Sequence, residues 1–242
     1  DITRYGMDWD GKPHLADLLE ELCKLDFHWI RLHYLYPEWI DDRLIDVIAR
    51  EDKILKYLDI PLQHCNDKIL KKMNRRGDKK YLCALLDKLR ERIPGLVLRT
   101  SIIAGLPGEG EEEFDELCDF LREQKLLRAG VFPYSPEEGT RAAKMERVDS
   151  DEAARRAERI VDIQSEIIDA WNDERQGDVM EVLCEGFDGQ SMLFVGRSYA
   201  ESPDIDGRIY FSAPRDVAAG EFVPVRITGA MDGELTGELA EE

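Results

Sequence analysis

The chain has 242 residues and a formal net charge of −19, which comes from 33 basic and 52 acidic side chains. This balance excludes a protein that binds nucleic acid through bulk charge alone, because phosphate neutralisation needs clustered lysine and arginine. Hydrophobic residues make up 43% of the sequence, enough to bury a core, and this excludes wholesale disorder. No apolar run approaches the ~20 residues of a membrane-spanning helix.

Cysteine usage indicates the redox compartment. The five cysteines are scattered at positions 23, 65, 83, 118 and 184. No two of them have the C-x-x-C spacing of common metal sites, and an odd number fits no complete disulfide framework. The sequence therefore predicts reduced thiols in a cytoplasmic protein without a metal ligand set of its own.

The first 145 residues alternate between helical and strand patterns. In chain order, the patterns predict a helix over 14–25, a strand over 29–36, a helix capped by Asp41 or Asp42, a strand over 54–62, a helix from Asn66 or Asp67 to Met73, a helix over 79–92, a strand over 97–104, a helix over 111–122 and a strand over 129–134. This alternation predicts parallel strands in βα units. A closed barrel of parallel strands typically has eight strands, so we expect this chain to begin inside such a domain. The alternative is a small open α/β sheet.

A long helix and a β-rich segment follow. Residues 149–175 carry apolar residues at helical spacing, and Gly177 ends that pattern. About five short alternating runs after residue 178 predict a small all-β barrel of the OB type. The predicted domains are therefore 1–145, a connecting helix over 146–176, and a β-barrel over 177–242.

Polar side chains lie on one face of the predicted parallel strands. Asp59 and Gln63 share a face of the second strand, and Arg99 and Ser101 share a face of the third. Strands buried in a parallel sheet are normally apolar on both faces, and an unpaired buried charge costs several kcal/mol. This pattern favours a polar cavity that holds a ligand. The alternative is that these side chains pair with one another or lie at wet strand ends.

Three loop features follow these strands, at the end where parallel α/β folds bind ligands. A lone histidine at His64 is more typical of a structural than of a catalytic residue. A basic cluster (Lys71, Lys72, Arg75 and Arg76) ends the next helix, where it suits either the negative helix terminus or a bound anion. The turn Gly105–Glu109 matches neither G-x-G-x-x-G nor a P-loop.

Six phrases in colinear order carry a resemblance to a known family. They are DITRYG (1–6), IRLHYLYP (30–37), DIPLQH (59–64), ILKKMNRRG (69–77), LRTSIIAGLPGE (98–109) and GVFPYSPEEGT (130–140). They resemble radical SAM methylthiotransferases, and most closely the branch that modifies an aspartate of small ribosomal subunit protein twelve. The tail resembles the TRAM domain of that family, at 195–198, 204–207 and 220–228.

The resemblance implies a fold and cofactors. The fold is α/β, a partial (β/α) radical SAM barrel of TIM-like type followed by a small OB-like TRAM β-barrel. The family uses S-adenosylmethionine and two 4Fe-4S clusters, one of them bound by a C-x-x-x-C-x-x-C motif. This sequence lacks that motif and the family's N-terminal domain. The chain is therefore expected to be the C-terminal part of a longer enzyme and to be inactive by itself.

The resemblance also implies site residues, although it assigns no catalytic residue. The residues expected to line the S-adenosylmethionine pocket are Asp59, Gln63, Arg99 and Ser101, with Glu109 in the loop on the adenine side. Tyr134 and Ser135, after the last strand, are expected to face the substrate opening.

Charge bears on the choice of partner. Residues 177–242 hold four basic and 14 acidic side chains, a net charge of −10. An acidic barrel suits a basic small-subunit ribosomal protein or the ribosome, with at most a weak RNA contact through the TRAM domain. The alternatives are a tRNA methylthiotransferase of the same family, a non-catalytic docking fragment, or acidity that serves only solubility.

Overall fold

The computed structural model describes residues 1–240, and the chain divides into two compact units, Asp1–Gln164 and Ser165–Glu242. The helices are α1 (Met7–Asp10), α2 (Leu15–Cys23), α3 (Asp42–Arg50), α4 (Asp67–Lys72), α5 (Lys79–Arg92), α6 (Glu111–Gln124) and α7 (Ser150–Glu174). The strands are β1 (Ile30–Leu32), β2 (Ile54–Asp59), β3 (Val97–Ala104), β4 (Arg128–Pro133), β5 (Val179–Asp188), β6 (Leu193–Arg197), β7 (Ile209–Ser212), β8 (Phe222–Met231) and β9 (Glu234–Leu239). Within the described range, no helix combines the length and the apolar character needed to cross a membrane.

The first unit is built on a parallel sheet with the sequential order β1-β2-β3-β4. Because every crossover is a helical connection between parallel neighbours, all four carboxyl ends lie at one edge of the sheet. Sequential parallel strands with intervening helices form a segment of a (β/α) barrel, so the predicted α/β class is confirmed. The hydrophobic core lies between this sheet and its helices, with Ile45, Ile48, Leu58, Leu86 and Ile102 almost completely buried.

Side-chain caps fix several helix starts in this unit. Asp41 accepts a hydrogen bond from the backbone N–H of Leu44 at 2.8 Å, and Asn66 accepts from the N–H groups of Lys68 and Ile69. These caps satisfy backbone donors that have no partner within the helix. They confirm the helix starts predicted at these two positions.

Two predicted strands are shorter than the sequence indicated. The strand predicted over 29–36 spans only Ile30–Leu32, and the strand predicted over 54–62 ends at Asp59. Tyr34 has a φ of 62°, which takes the chain out of the extended conformation, and its side chain is 59% exposed. Tyr34 therefore does not continue the strand predicted over 29–36. Pro61 lacks the N–H that a continued central strand would donate.

The second unit contains a closed barrel with the strand order β5-β6-β7-β9-β8. All neighbours are antiparallel except β7 and β9. Its core includes Val182, Phe211, Val223 and Val225, and Trp171 of α7 packs against that core. A five-stranded closed barrel of this size has the architecture of an OB-type domain, which confirms the predicted all-β barrel.

Arg156, near the start of α7, forms hydrogen bonds with the turn after β3. Arg156 is 5% exposed, and its Nη1 donates to Glu109 Oε1 at 2.9 Å and to the Glu109 carbonyl at 3.1 Å. Its other nitrogens donate to Glu111 at 2.8 Å and to Glu152 at 3.0 Å, and the guanidinium lies over the Phe114 ring. A buried carboxylate is tolerated only when it is compensated in this way.

Arg156→Met should lower the free energy of unfolding by about 3–5 kcal/mol, because it leaves the Glu109 carboxylate buried without its arginine. Adding Glu109→Gln to Arg156→Met should recover a large part of that loss, since the uncompensated charge is then gone. Urea unfolding monitored by tryptophan fluorescence measures both effects.

The neighbouring Arg155 provides the control for this prediction. Its side chain is exposed and pairs only with Glu152, at 2.8 Å, among the residues that the structure describes. Arg155→Met should change stability by no more than about 1 kcal/mol, as is usual for an exposed ion pair. Equal losses in Arg155→Met and Arg156→Met would show that the buried pair has no special role.

Candidate functional site

A buried ion pair lies where β1 and β2 end, beside the first half of β3. Asp59 is the last residue of β2, is 3% exposed, and lies opposite Arg99 of β3 in the strand register. Arg99 Nη1 donates to Asp59 Oδ1 at 2.9 Å, and His33 Nδ1 lies 3.7 Å from Asp59 Oδ2. The pairing of Asp59 with Arg99 is the alternative that the sequence pattern left open.

The ionised state of Asp59 follows from these contacts. Burial alone raises the pKa of a carboxyl group, and it is the largest single influence on Asp59. The favourable contacts with His33 and Arg99 together outweigh burial and hold the pKa of Asp59 below its ordinary value. Asp59 is therefore an ionised carboxylate paired with the Arg99 guanidinium, on the strand face predicted to be polar.

Gln63 and Ser101 are held together by backbone contacts. The N–H of Gln63 donates to the Ser101 carbonyl at 2.8 Å, and the N–H of Ile103 donates to the Gln63 carbonyl at 3.0 Å. Gln63 has a φ of 71° and lies in the segment after β2, as the left-handed Tyr34 lies in the segment after β1. A non-glycine residue in the left-handed conformation is strained, and it persists only where surrounding contacts hold it in place. Such residues cluster at functional sites.

The end of β4 brings aromatic residues to the same edge. A Cβ atom at Gly130 would lie 3.2 Å from the Phe132 ring and 3.4 Å from Arg99 Nη2, so glycine leaves room for both side chains. Phe132 is 55% exposed. The N–H of Tyr134 donates to the Ala104 carbonyl at 2.8 Å, while Ser135 is exposed.

The Tyr134 hydroxyl bears on where a ligand could bind. It is buried, and it has no hydrogen-bond partner within residues 1–240. A buried polar atom left unsatisfied costs about 1–3 kcal/mol, so a ligand with a polar atom at this position would gain that energy. This observation favours the prediction that Tyr134 faces a bound molecule.

Glu109 has a structural position beneath the turn after β3. Its Oε1 accepts hydrogen bonds from the Gly105 N–H and from Arg156, each at 2.9 Å. Burial raises its pKa, but the contacts with His64, Arg156 and Gly105 outweigh that effect and hold the pKa below its usual range. The side chain predicted to bind the cofactor is therefore already used inside the fold. Only the turn above it remains available to a ligand.

His64 supports the same carboxylate. The backbone N–H of Asn66 donates to His64 Nδ1 at 2.9 Å, so in the neutral ring Nε2 carries the proton. Nε2 lies 3.3 Å from Glu109 Oε2, and both side chains are buried. This contact agrees with the structural role expected for a lone histidine.

Glycines let the turn pack closely. Gly105 has a φ of 81°, and a Cβ atom there would lie 2.5 Å from the Cβ of Ala153. Gly108 has a φ of 86°, which strains any other residue, and the Lys72 ammonium occupies the place of its missing Cβ. Neither position admits a side chain, so the turn exposes backbone rather than side chains at the edge of the site.

Sequence reasoning did not assign four residues that the structure brings to this region. Arg31 lies on β1 with its guanidinium over the Tyr57 ring, and His33 directly follows that strand. Arg128 of β4 is buried opposite Arg99 in register. The alternation of side chains along each strand is the sequence feature that could have identified Arg31, His33 and Arg128. The left-handed conformation of Tyr34 has no signal in the sequence, because tyrosine rarely adopts it.

The cysteines do not form a set that fits an iron–sulfur cluster. Among residues 1–240, no three His, Cys, Asp or Glu side chains are arranged to hold a metal ion. Cys65, Cys118 and Cys184 are buried, and burial raises the pKa of each thiol. A cluster needs several cysteine ligands that converge on one point, and the described residues provide no such arrangement.

Two family models match the chain, one in each unit. Residues 5–121 match the Radical SAM superfamily, and residues 177–240 match the TRAM domain. The first match covers the parallel sheet through β3 and most of α6, and the second covers the closed barrel.

Curated relatives match the whole chain. The protein named ribosomal protein uS12 methylthiotransferase RimO from Symbiobacterium thermophilum is 46% identical over 100% of this chain and 50% of its own length. The protein of the same name from Pelotomaculum thermopropionicum is 48% identical over 98% of this chain and 54% of its own length. The one from Myxococcus xanthus is 46% identical over 100% of this chain and 51% of its own length. The chain thus spans about half the length of these relatives.

A solved structure supports the fold of the first unit. Coproporphyrinogen III oxidase (HemN) from Escherichia coli, described as a radical SAM enzyme, aligns with a TM-score of 0.53 and 20% identity. The alignment covers 65% of this chain and 39% of that protein. Since the domain matches, the whole-chain similarity and the fold agree, the chain belongs to the radical SAM methylthiotransferase family, in the group of proteins named RimO.

Proposed function

We propose that this chain supplies the S-adenosylmethionine-binding face and the target-docking barrel of a methylthiotransferase that modifies an aspartate side chain of ribosomal protein uS12. The observation that carries the proposal is the similarity of 42–48% identity, over essentially the whole chain, to proteins named as ribosomal protein uS12 methylthiotransferases. Such a reaction on a ribosomal protein belongs in the cytoplasm.

The residues at the sheet edge suit S-adenosylmethionine. The cofactor has a carboxylate, an ammonium group, a ribose and an adenine ring, so its pocket needs both charge signs and exposed backbone. Arg99 can hold the carboxylate, Asp59 can accept from the ammonium group or a ribose hydroxyl, and the Gly105–Glu109 turn offers backbone groups to the adenine. When bound and reductively cleaved, S-adenosylmethionine supplies a 5′-deoxyadenosyl radical.

The proposed roles of the chain's residues are binding and exclusion of water. The ion pair between Asp59 and Arg99 holds both charged side chains in a fixed arrangement before a ligand binds. Phe132 and Tyr134 lie at the end of β4, where aromatic rings can shield a reactive centre from solvent. Because no cysteine set here fits a 4Fe-4S cluster, the two clusters of the family would require ligands other than these residues.

The barrel is proposed to dock a basic protein. Of its four arginines, Arg197 pairs with Glu185 at 2.8 Å and Arg215 pairs with Glu221 at 2.7 Å. These pairs reduce the positive charge available to a partner, in a segment whose net charge is −10. An RNA backbone would be repelled by this surface, whereas a basic ribosomal protein would be attracted to it.

Arg99→Ala should weaken the binding of S-adenosylmethionine to this chain about tenfold, which corresponds to ~1.4 kcal/mol. The loss follows from removing the cationic partner of the methionyl carboxylate. Equilibrium dialysis measures the two dissociation constants.

The control for Arg99 is a ligand rather than a second variant. 5′-Methylthioadenosine has the same nucleoside but no carboxylate, so Arg99→Ala should leave its affinity unchanged. If both ligands lose affinity equally, the substitution has damaged the pocket, and Arg99 does not recognise the carboxylate.

Neutralising exposed acids of the barrel should slow the association of uS12. We expect Asp204→Asn, Asp216→Asn and Asp232→Asn together to reduce the association rate about fivefold at low salt, with little change in dissociation, because peripheral charges act mainly by steering. Asp204 and Asp232 have φ values of 64° and 53°, a conformation that asparagine tolerates. Stopped-flow fluorescence with labelled uS12 measures both rates.

Three exposed acids of the first unit form the matched control. Asp8→Asn, Asp26→Asn and Asp52→Asn together remove the same charge from exposed positions outside the barrel. They should leave the association rate within about twofold of the unmodified chain. Equal slowing by the two triple variants would mean that overall charge, and not the barrel, attracts uS12.

A further inference from the structure

Four cations that the proposed function does not use follow one another closely in the sequence, at the end of α4 and in the loop after it, at the rim of the candidate site. We call Lys71, Lys72, Arg75 and Arg76 the basic platform. Among the described residues, none of the four forms an ion pair, whereas most arginines of this chain lie beside a carboxylate. In a protein with 52 acidic side chains, such a group of uncompensated cations is unexpected.

The platform is held in place by contacts with two neighbouring loops. The Arg75 guanidinium lies 5.2 Å from the centre of the Tyr36 ring, in the segment after β1. The Lys72 ammonium fills the space that a side chain at Gly108, in the turn after β3, would need. The platform therefore adjoins the carboxyl ends of β1, β2 and β3, where the candidate site opens.

Backbone geometry fixes the platform itself. The N–H of Arg75 donates to the Leu70 carbonyl at 2.8 Å, and the left-handed Asn74 (φ 55°) ends α4 between the two pairs of cations. Gly77, with a φ of 86°, lies against the Tyr81 ring, whose hydroxyl donates to the Pro37 carbonyl at 2.9 Å. The backbone that carries the four cations is therefore held in a defined conformation.

Two carboxylates that flank the platform in the sequence accept hydrogen bonds from backbone N–H groups. Asp67 accepts from the Lys79 N–H at 2.8 Å, and Asp78 accepts from the Tyr81 N–H at 2.7 Å. At physiological ionic strength the Debye length is about 8 Å, so the acids on distant surfaces are largely screened from the platform. A polyanion in direct contact with the platform would meet local positive charge.

We propose that the basic platform binds the phosphate backbone of single-stranded RNA. Arginine and lysine recognise phosphate oxygens, and arginine does so with paired donors. The aromatic residues favour RNA over an acidic protein. Tyr34 is 59% exposed, and Tyr36 lies beneath Arg75 in the same loop, as in sites where nucleic acid bases stack on aromatic rings and guanidinium planes.

The proposal goes beyond the methylthiotransferase assignment. It places an RNA contact on the radical SAM unit, whereas the acidic barrel repels phosphate. An enzyme whose target is a ribosomal protein would then recognise that protein together with the RNA that surrounds it.

The test measures binding of the chain to a fluorescein-labelled 16-nucleotide single-stranded RNA of mixed sequence, by anisotropy, over a range of salt concentrations. Lys71→Ala with Arg76→Ala should weaken binding about tenfold at 50 mM salt. The slope of log affinity against log salt should fall by about 1.4, since each lost phosphate contact contributes about 0.7. Lys72 and Arg75 are left unchanged because they contact Gly108 and Tyr36.

Lys12→Ala with Lys144→Ala is the matched control, since both side chains are exposed and neither forms an ion pair with a described residue. It should leave affinity and slope within twofold of the unmodified chain. Lys71→Gln with Arg76→Gln repeats the charge loss with longer side chains, and circular dichroism checks that each variant folds.

Three results would overturn the proposal: no RNA binding by the unmodified chain, equal losses in the platform and control variants, or displacement of RNA by polyglutamate at equal charge concentration. The last result would assign the platform to an acidic protein instead. The assay contains no S-adenosylmethionine, so its failure is distinguishable from failure of the proposed enzymatic function.

Discussion

A carboxylate buried beneath a turn is the constraint on which the candidate site depends. The turn after β3 bends through two left-handed glycines, Gly105 and Gly108, and Glu109 holds it from within. That buried charge is stable only because Arg156 and His64 lie against it. The turn is therefore fixed by a residue of α7 and a residue of the loop after β2, so three separate segments determine the rim of the site.

Acidic and basic side chains are concentrated in different parts of this molecule. The outer surface of the barrel is acidic, while cationic residues gather at the sheet edge and at the basic platform. Arg99 and Arg128 lie opposite one another in register on β3 and β4, and Asp59 is the carboxylate that pairs with Arg99. A net charge of −19 therefore coexists with positive local surroundings at the candidate site.

The sequence predicted the elements whose signals are local. The strand Val97–Ala104 has its predicted bounds, and the caps at Asp41 and Asn66 are where side chains of that type were expected. Alternation along strands correctly predicted a polar face, because a period of two residues needs no tertiary information.

Contacts between distant segments could not be predicted in the same way. Glu109 and Arg156 are 47 residues apart, and nothing in either segment indicates that they meet. The sequence also could not show whether Asp59 faces a ligand or Arg99, because that depends on the register between β2 and β3. Tyr34 illustrates a third limit, since its left-handed backbone is imposed by its surroundings against its own preference.

The internal pairing of Asp59 with Arg99 does not conflict with a role in ligand binding. An arginine in a buried pocket needs a compensating anion before any ligand arrives, and Asp59 provides it at 2.9 Å through one Oδ atom and one Nη atom. A guanidinium has five N–H donors, so the one that Nη1 directs to Asp59 is a small part of its capacity to donate to carboxylates. The pair therefore keeps Arg99 ordered and charged, which reduces the entropy that an incoming carboxylate would otherwise have to offset.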